Sequence, residues 1–237
     1  MTELSKEEKE TKVKTLLQKG YIEAFFDFHS ENKISAKDLH SVAEKAECHN
    51  TGWPIGVTLT RTDGAPYSIN NGIEADIISR YDNSYDFWAI NKNGNFYFVR
   101  TYQEDEKPII TKKGNAILWF DIRIWRIAEL FLYCLRLGKE LGIDPSVKID
   151  IAISHFGIKD RVLSCWNQMI MWFDDDNYIC KTEPHEFRLS ESLDYINLNY
   201  KELVHKAVSD LLFYFSKFEI SRGDCDQTVD SFLKARS

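Results

Sequence analysis

The chain has 237 residues, with 30 Lys and Arg against 37 Asp and Glu, for a formal charge of -7. That length suits one domain or one domain with an appendage, and a content of 43% hydrophobic and 14% aromatic residues excludes a disordered polar chain. The acidic balance leaves no electrostatic footprint for nucleic acid, no apolar run reaches the roughly 18 residues of a membrane span, and the charged opening has no leader-like apolar core, so a cytoplasmic protein without membrane contact is expected.

In chain order, Ser5 with Glu8 forms a capping box, and Val13, Leu16 and Leu17 give a short apolar stripe, so a helix is expected up to Gly20. A second stretch, Tyr21 to His29, holds Phe25, Phe26 and Phe28, and a third begins at Ser35 with Leu39, Val42 and Ala43 on one side. Residues 1–50 are read as a helical appendage. At Trp53 the period changes to two: Trp53, Ile55, Val57 and Leu59 alternate with smaller or polar residues, the mark of a half-buried strand. Asp63-Gly64, Asn70-Asn71-Gly72 and Asn93-Gly94 are turn signals between the runs at 67–69, 73–78, 87–90 and 96–102, which predicts an antiparallel meander.

Asp121 to Leu141 is almost free of breakers and apolar over most of its circumference, with Arg123, Arg126, Glu129 and Arg136 roughly along one stripe, so a buried central helix is predicted. Val147, Ile149, Ile151 and Ile153 alternate as a further strand. More strands are expected at 161–166, 168–174, 178–183 and 185–190, with Asp174-Asp175-Asp176-Asn177 as a solvated turn. A closing amphipathic helix runs from Tyr200 to Phe218, and the rest reads as a loose polar tail. The fold class is α+β: an antiparallel meander sheet, a central buried helix, further strands and a C-terminal amphipathic helix. The expected domains are a core at 51–220, between the appendage and a tail at 221–237.

Five scattered cysteines without a C-x-x-C pair, Cys48, Cys134, Cys165, Cys180 and Cys225, read as reduced thiols. The six histidines lack zinc-ligand spacing, and the loop after Asp174 lacks the glycine and glutamate of an EF-hand. Phosphate-cradling glycine loops and the nucleophile elbow are also missing, so no metal and no cofactor is expected. The charges that remain are Arg126 and Glu129, three apart on one helix face, and Arg100 and Glu104 at the end of a strand, with Glu74 in a neighbouring strand. A charged stripe on an apolar helix must meet solvent, partner charges or a ligand, because an unpaired buried charge costs several kcal/mol. Glu74, Arg100, Glu104, Arg126 and Glu129 are therefore the candidate ligand-binding residues, for a small polar or anionic ligand. The competing reading is internal ion pairing with acids such as Asp121 or Glu74. The aromatic residues Trp53, Tyr67, Trp88, Phe96, Tyr97 and Phe98 could stack on bases, but read better as sheet core.

A series of short words runs in order through residues 50–165: Asn50-Thr51-Gly52-Trp53-Pro54, Ala65-Pro66-Tyr67, Gly72-Ile73-Glu74, Asp86-Phe87-Trp88, Gly94-Asn95-Phe96-Tyr97, Arg100 with Tyr102 and Glu104-Asp105, then Asp121, Ile124-Trp125-Arg126, Glu129 and Arg161. This string resembles the region that follows the AlbA domain in bacterial Schlafen-like proteins. There the AlbA module comes first; here the preceding residues 1–50 are not that module, so its nucleic-acid or nucleotide binding is not carried over. What the resemblance implies is a stand-alone accessory or sensor-like domain.

The expected function is a non-catalytic ligand-sensing or regulatory accessory domain of a bacterial system, acting through a protein partner or as a homo-oligomer, with nucleic acid disfavoured as a partner. The alternative is a metal-dependent enzyme or binder acting on nucleic acid or nucleotide, with the same carboxylates as metal ligands.

Overall fold

A computed structural model describes residues 6–30, 33–60, 64–79, 83–167, 177–183 and 185–235. The elements in chain order are α1 (Lys6–Leu17), β1 (Tyr21–Asp27), α2 (Ala36–Ala46), β2 (Tyr67–Ile69), β3 (Gly72–Ile78), β4 (Tyr85–Asn91), β5 (Phe96–Thr101), β6 (Ile117–Trp119), α3 (Phe120–Glu140), β7 (Lys148–Phe156), β8 (Val162–Ser164), β9 (His185–Ser192), α4 (Leu193–Leu198), α5 (Tyr200–Phe213) and α6 (Arg222–Lys234). Seven strands form one antiparallel sheet in the order β2-β3-β4-β5-β1-β7-β9. The α+β architecture is thus present, with the meander β2 to β5, a buried α3 and an amphipathic α5 near the C-terminus.

Residue parity decides the two faces of the sheet. Ile22, Ala24 and Phe26 of β1, Trp88 and Ile90 of β4, Phe96 and Phe98 of β5, and Ile149, Ile151 and Ile153 of β7 are buried on the inner face. There α3 packs against α2, α4, α5 and α6, so its apolar circumference is covered on several sides. The outer face carries Glu74 and Asp76, Phe87, Tyr97, Glu23 and Phe25, Ala152 and Ser154, and Glu186 and Arg188. Over one end of it α1 sets Leu16 against Tyr85 and Val99.

Four expectations change. Residues 1–50 are not a helical appendage, because Tyr21–Asp27 is an interior strand of the sheet, hydrogen-bonded to β5 on one side and β7 on the other. Its outward Phe25 fills in the alternation and makes a period of two read as a continuous aromatic run. Trp53 to Leu59 is not a strand: Pro54 offers no N–H, and Gly56 turns at φ 69° against the Tyr133 ring. It is a coil laid over the core, with Ile55 and Val57 buried and the Trp88 indole donating to the Val57 carbonyl. The tail is not loose, because Ser221 caps α6 and Cys225, Val229 and Phe232 enter the core. No strand spans 178–183; Ile179 and Cys180 make single bridges to Val162 and Phe215. The Ser5 cap, Asp63, the strand at 168–174 and the acidic turn at Asp174 to Asp176 lie outside the described residues.

Candidate functional site

Three of the five candidate residues meet above the coil at 51–55, which they hold down. Arg100, on the inner face of β5, donates through Nε to Asp86 Oδ2 on neighbouring β4 at 3.0 Å, and its two terminal nitrogens donate to the Trp53 and Pro54 carbonyls at 3.1 and 2.8 Å. The Trp53 indole donates to the same Asp86 oxygen at 2.7 Å. From α3, Arg126 Nη1 donates to Glu129 at 2.7 Å and to the Trp53 carbonyl at 3.1 Å. The fully buried Glu129 accepts in turn from the Thr51 hydroxyl at 2.9 Å and the Ile55 amide at 3.4 Å. Burial pulls the Arg100 guanidinium below its ordinary range, and the Asp86 carboxylate opposes that pull. Arg126 is the most open of the three candidates, at 13% exposure of its side chain against 9% for Arg100 and none for Glu129.

Glu104 belongs to a second buried network. It accepts from the Trp119 amide at 2.8 Å and pairs with Arg123 at 3.0 Å. The Arg123 and Arg161 guanidinium carbons lie 4.5 and 5.1 Å from the Tyr102 ring centroid, and Arg161 pairs with Asp105 at 2.6 Å. Arg161 also donates to the Ile117 and Gly157 carbonyls, so the network ties the start of α3 to the ends of β5 and β7. Glu74 takes no part in either. Its register partner Ala89 is opposite Tyr97, so it lies on the outer face, where the Tyr67 hydroxyl donates to it at 2.5 Å. Burial and that carboxylate push the Tyr67 phenol up to about 12.

The five residues therefore do not share one pocket. The ion-pair partners are Asp86, Glu104 and Glu129. Asp121 instead accepts from the Trp166 and Asn167 amides beyond β8. Asp86, Asp105 and Arg161 had no assigned role; the signal for Asp86 is a lone charge in the apolar run Tyr85 to Ile90, which at strand parity must face the core, whereas Asp105 and Arg161 sit among other charges outside the strands and carry no such signal. Arg136 leaves the presumed stripe to donate to the Glu47 carbonyl at the end of α2. Among the described residues no three His, Cys, Asp or Glu gather at metal-holding distance, and the five cysteines are buried thiols. No family model, curated protein or solved structure matches the chain.

His155 and His185 face each other across β7 and β9, both buried. The Tyr102 hydroxyl meets His155 Nδ1 at 3.1 Å, while His155 Nε2 and His185 Nδ1 have no protein partner among the described residues. Burial lowers both pKa values; for His155, the Arg123 charge and His185 push the same way. Folding thus keeps both imidazoles neutral, whereas the unfolded chain takes up protons as pH falls through about 6.5. Stability is full above that value and drops below it, by up to about 1.4 kcal/mol per pH unit for His155, with a smaller share from His185, whose pKa the Asp210 and Glu186 charges hold up. Urea unfolding followed from neutral to mildly acidic pH is expected to show this slope, and His155→Gln, which keeps a partner for Tyr102, should flatten it by one proton. An unchanged slope in the variant would remove His155 from this account.

Proposed function

We propose that the chain is a non-catalytic regulatory or ligand-sensing domain that works through a protein partner. The observation that supports this most is how the charges are engaged: Arg100 and Arg126 are answered by Asp86 and Glu129 and by the carbonyls of the coil they hold. Glu104 and Glu74, the acids that a metal-dependent enzyme acting on nucleic acid or nucleotide would need together, lie on opposite sides of the sheet, each with its own protein donor. A sensor-like accessory role is also what the Schlafen-like resemblance implies, and reduced, buried thiols suit a cytoplasmic protein.

The surface offered to the partner is the outer sheet face. Phe25, on an interior strand of the seven-stranded sheet, is 40% exposed. Tyr97 and Ala152 flank it on the adjacent strands, and Glu23, Glu74, Asp76 and Glu186 surround them, with Arg188 as the counter-charge. An apolar centre inside an acidic rim fits a basic amphipathic segment. A synthetic lysine- and leucine-bearing helical peptide is expected to bind at low salt, and Phe25→Ser or Glu23→Lys to abolish that binding. A thermal shift with nucleotides, oligonucleotides, Mg²⁺ or Mn²⁺ that is lost in the Arg126→Gln/Glu129→Gln double variant would overturn this proposal in favour of the nucleic-acid or nucleotide alternative.

A further inference from the structure

The two edges of the sheet are unlike. β2 has three residues, and edges that short offer little to pair with. β9 has eight, and the side facing away from β7 has no strand partner among the described residues. A row of backbone donors and acceptors that long is a template for another strand.

We infer that β9 pairs antiparallel with β9 of a second copy of this chain, joining the two sheets across a two-fold axis. The residues select one register. Inner-face residues must oppose inner-face residues, which allows only registers centred on a residue and excludes those centred between two. Centring on Arg188 sets that guanidinium against its own copy, and centring on Glu186 does the same for the carboxylate. Centring on Phe187 places Glu186 opposite Arg188 and Arg188 opposite Glu186. Within one chain these side chains already pair, with Arg188 Nη2 3.0 Å from Glu186 Oε2, and both are well exposed. The two-fold then closes a ring of four alternating charges on the outer face. Centres beyond Arg188 bring no opposite charge to either residue.

Exposed apolar side chains stand at both ends of β9. Tyr214 stands edge-on to His185 at one end, 43% exposed, with Phe213 at 51% beside it. From the other end α4 carries Tyr195 at 43% and Leu198 at 82% exposure. Antiparallel pairing about Phe187 overlaps residues 185–189 of the two copies, with His185 of each opposite Leu189 of the other, so the Tyr214 and Phe213 patch of one copy lies beside the second half of the other copy's β9, on the side from which its α4 follows. The inference does not rest on the partner proposed above, whose surface is centred on Phe25 of β1 and shares only the rim residues Glu186 and Arg188 with this edge.

Sedimentation equilibrium of the full chain tests it. The wild type is expected to run at twice the chain mass. Glu186→Arg and Arg188→Glu are each expected to weaken dimerisation by about tenfold or more, because both cross-strand pairs become repulsive. The double swap Glu186→Arg/Arg188→Glu should restore the dimer, because the ring closes again with reversed polarity. Both side chains are exposed, so unchanged far-UV dichroism is expected throughout. A monomeric wild type, single swaps that leave the dimer intact, or a double swap that stays monomeric would each overturn the inference.

Discussion

Arg123→Met is expected to lower the stability of this protein by about 3–5 kcal/mol, the cost of leaving a buried carboxylate without its counter-charge. Glu104 and Arg123 have side chains 1% and 2% exposed, so neither can exchange its partner for water. The substitution also removes the cation held over the Tyr102 ring. Glu104→Gln keeps an acceptor for the Trp119 amide yet leaves Arg123 charged and unanswered, so a similar loss is expected. The double variant Glu104→Gln/Arg123→Met leaves no buried charge and keeps the amide's acceptor, so it should lose less than either single substitution. Urea midpoints at constant m-value measure all three. Losses that simply add would show that the two charges do not act as a pair.

That experiment separates what the sequence made legible from what it concealed. The spacing of Arg123, Arg126 and Glu129 marks charges on a buried helix, and the physical rule that such charges need partners holds for each. Which partner each takes depends on strand pairing, which spacing along one element does not contain. Asp86 becomes the partner of Arg100 because β4 and β5 register those two residues opposite each other on the inner face. Glu74 is lost from the cluster for the same reason: its parity in β3 places it on the outer face. The meander and β7 were legible because their turns carry glycine and asparagine and their apolar residues keep a period of two. At Asn93-Gly94 the Asn91 side chain accepts from the amides of Asn93 and Asn95, and Gly94 takes φ 86°. The strand β1 was hidden by an aromatic residue on its open face, and α6 by polar composition. Its Cys225, Val229 and Phe232 nevertheless recur at helical spacing behind a Ser221 cap whose side chain accepts from the Asp224 amide. Period is a dependable signal only where one face is dry and the other wet; Phe25 breaks that condition on β1, and Pro54 and Gly56 imitate it in a coil.

Arg100→Met is expected to cost about 3–5 kcal/mol as well, and to do so through the coil at 51–55. Removing the guanidinium leaves Asp86, 4% exposed, with the Trp53 indole as its donor, and takes the donor away from the Pro54 carbonyl, while the Trp53 carbonyl keeps only Arg126 Nη1. Buried acceptors without donors add about 1–3 kcal/mol each where water does not reach them, so part of the loss is relieved if the coil lifts. The variant should therefore expose the segment 51–60 before it unfolds globally. Limited proteolysis is expected to cut there under conditions in which the wild type is intact, and Trp53 fluorescence should shift toward that of a hydrated indole. Glu129→Gln is the control from the same network. It keeps an acceptor for the Thr51 hydroxyl and the Ile55 amide, and Arg126 retains its opening to solvent and the Trp53 carbonyl, so about 1 kcal/mol is expected, in the range of one ordinary hydrogen bond. Equal losses in the two variants, or protease resistance of the coil in Arg100→Met, would mean that the Arg100–Asp86 pair stabilises the sheet and leaves the coil to its own packing. The ordering expected here makes Arg100 the anchor of the coil, with Arg126 as its more hydrated contact and Glu129 as the buried acceptor behind it.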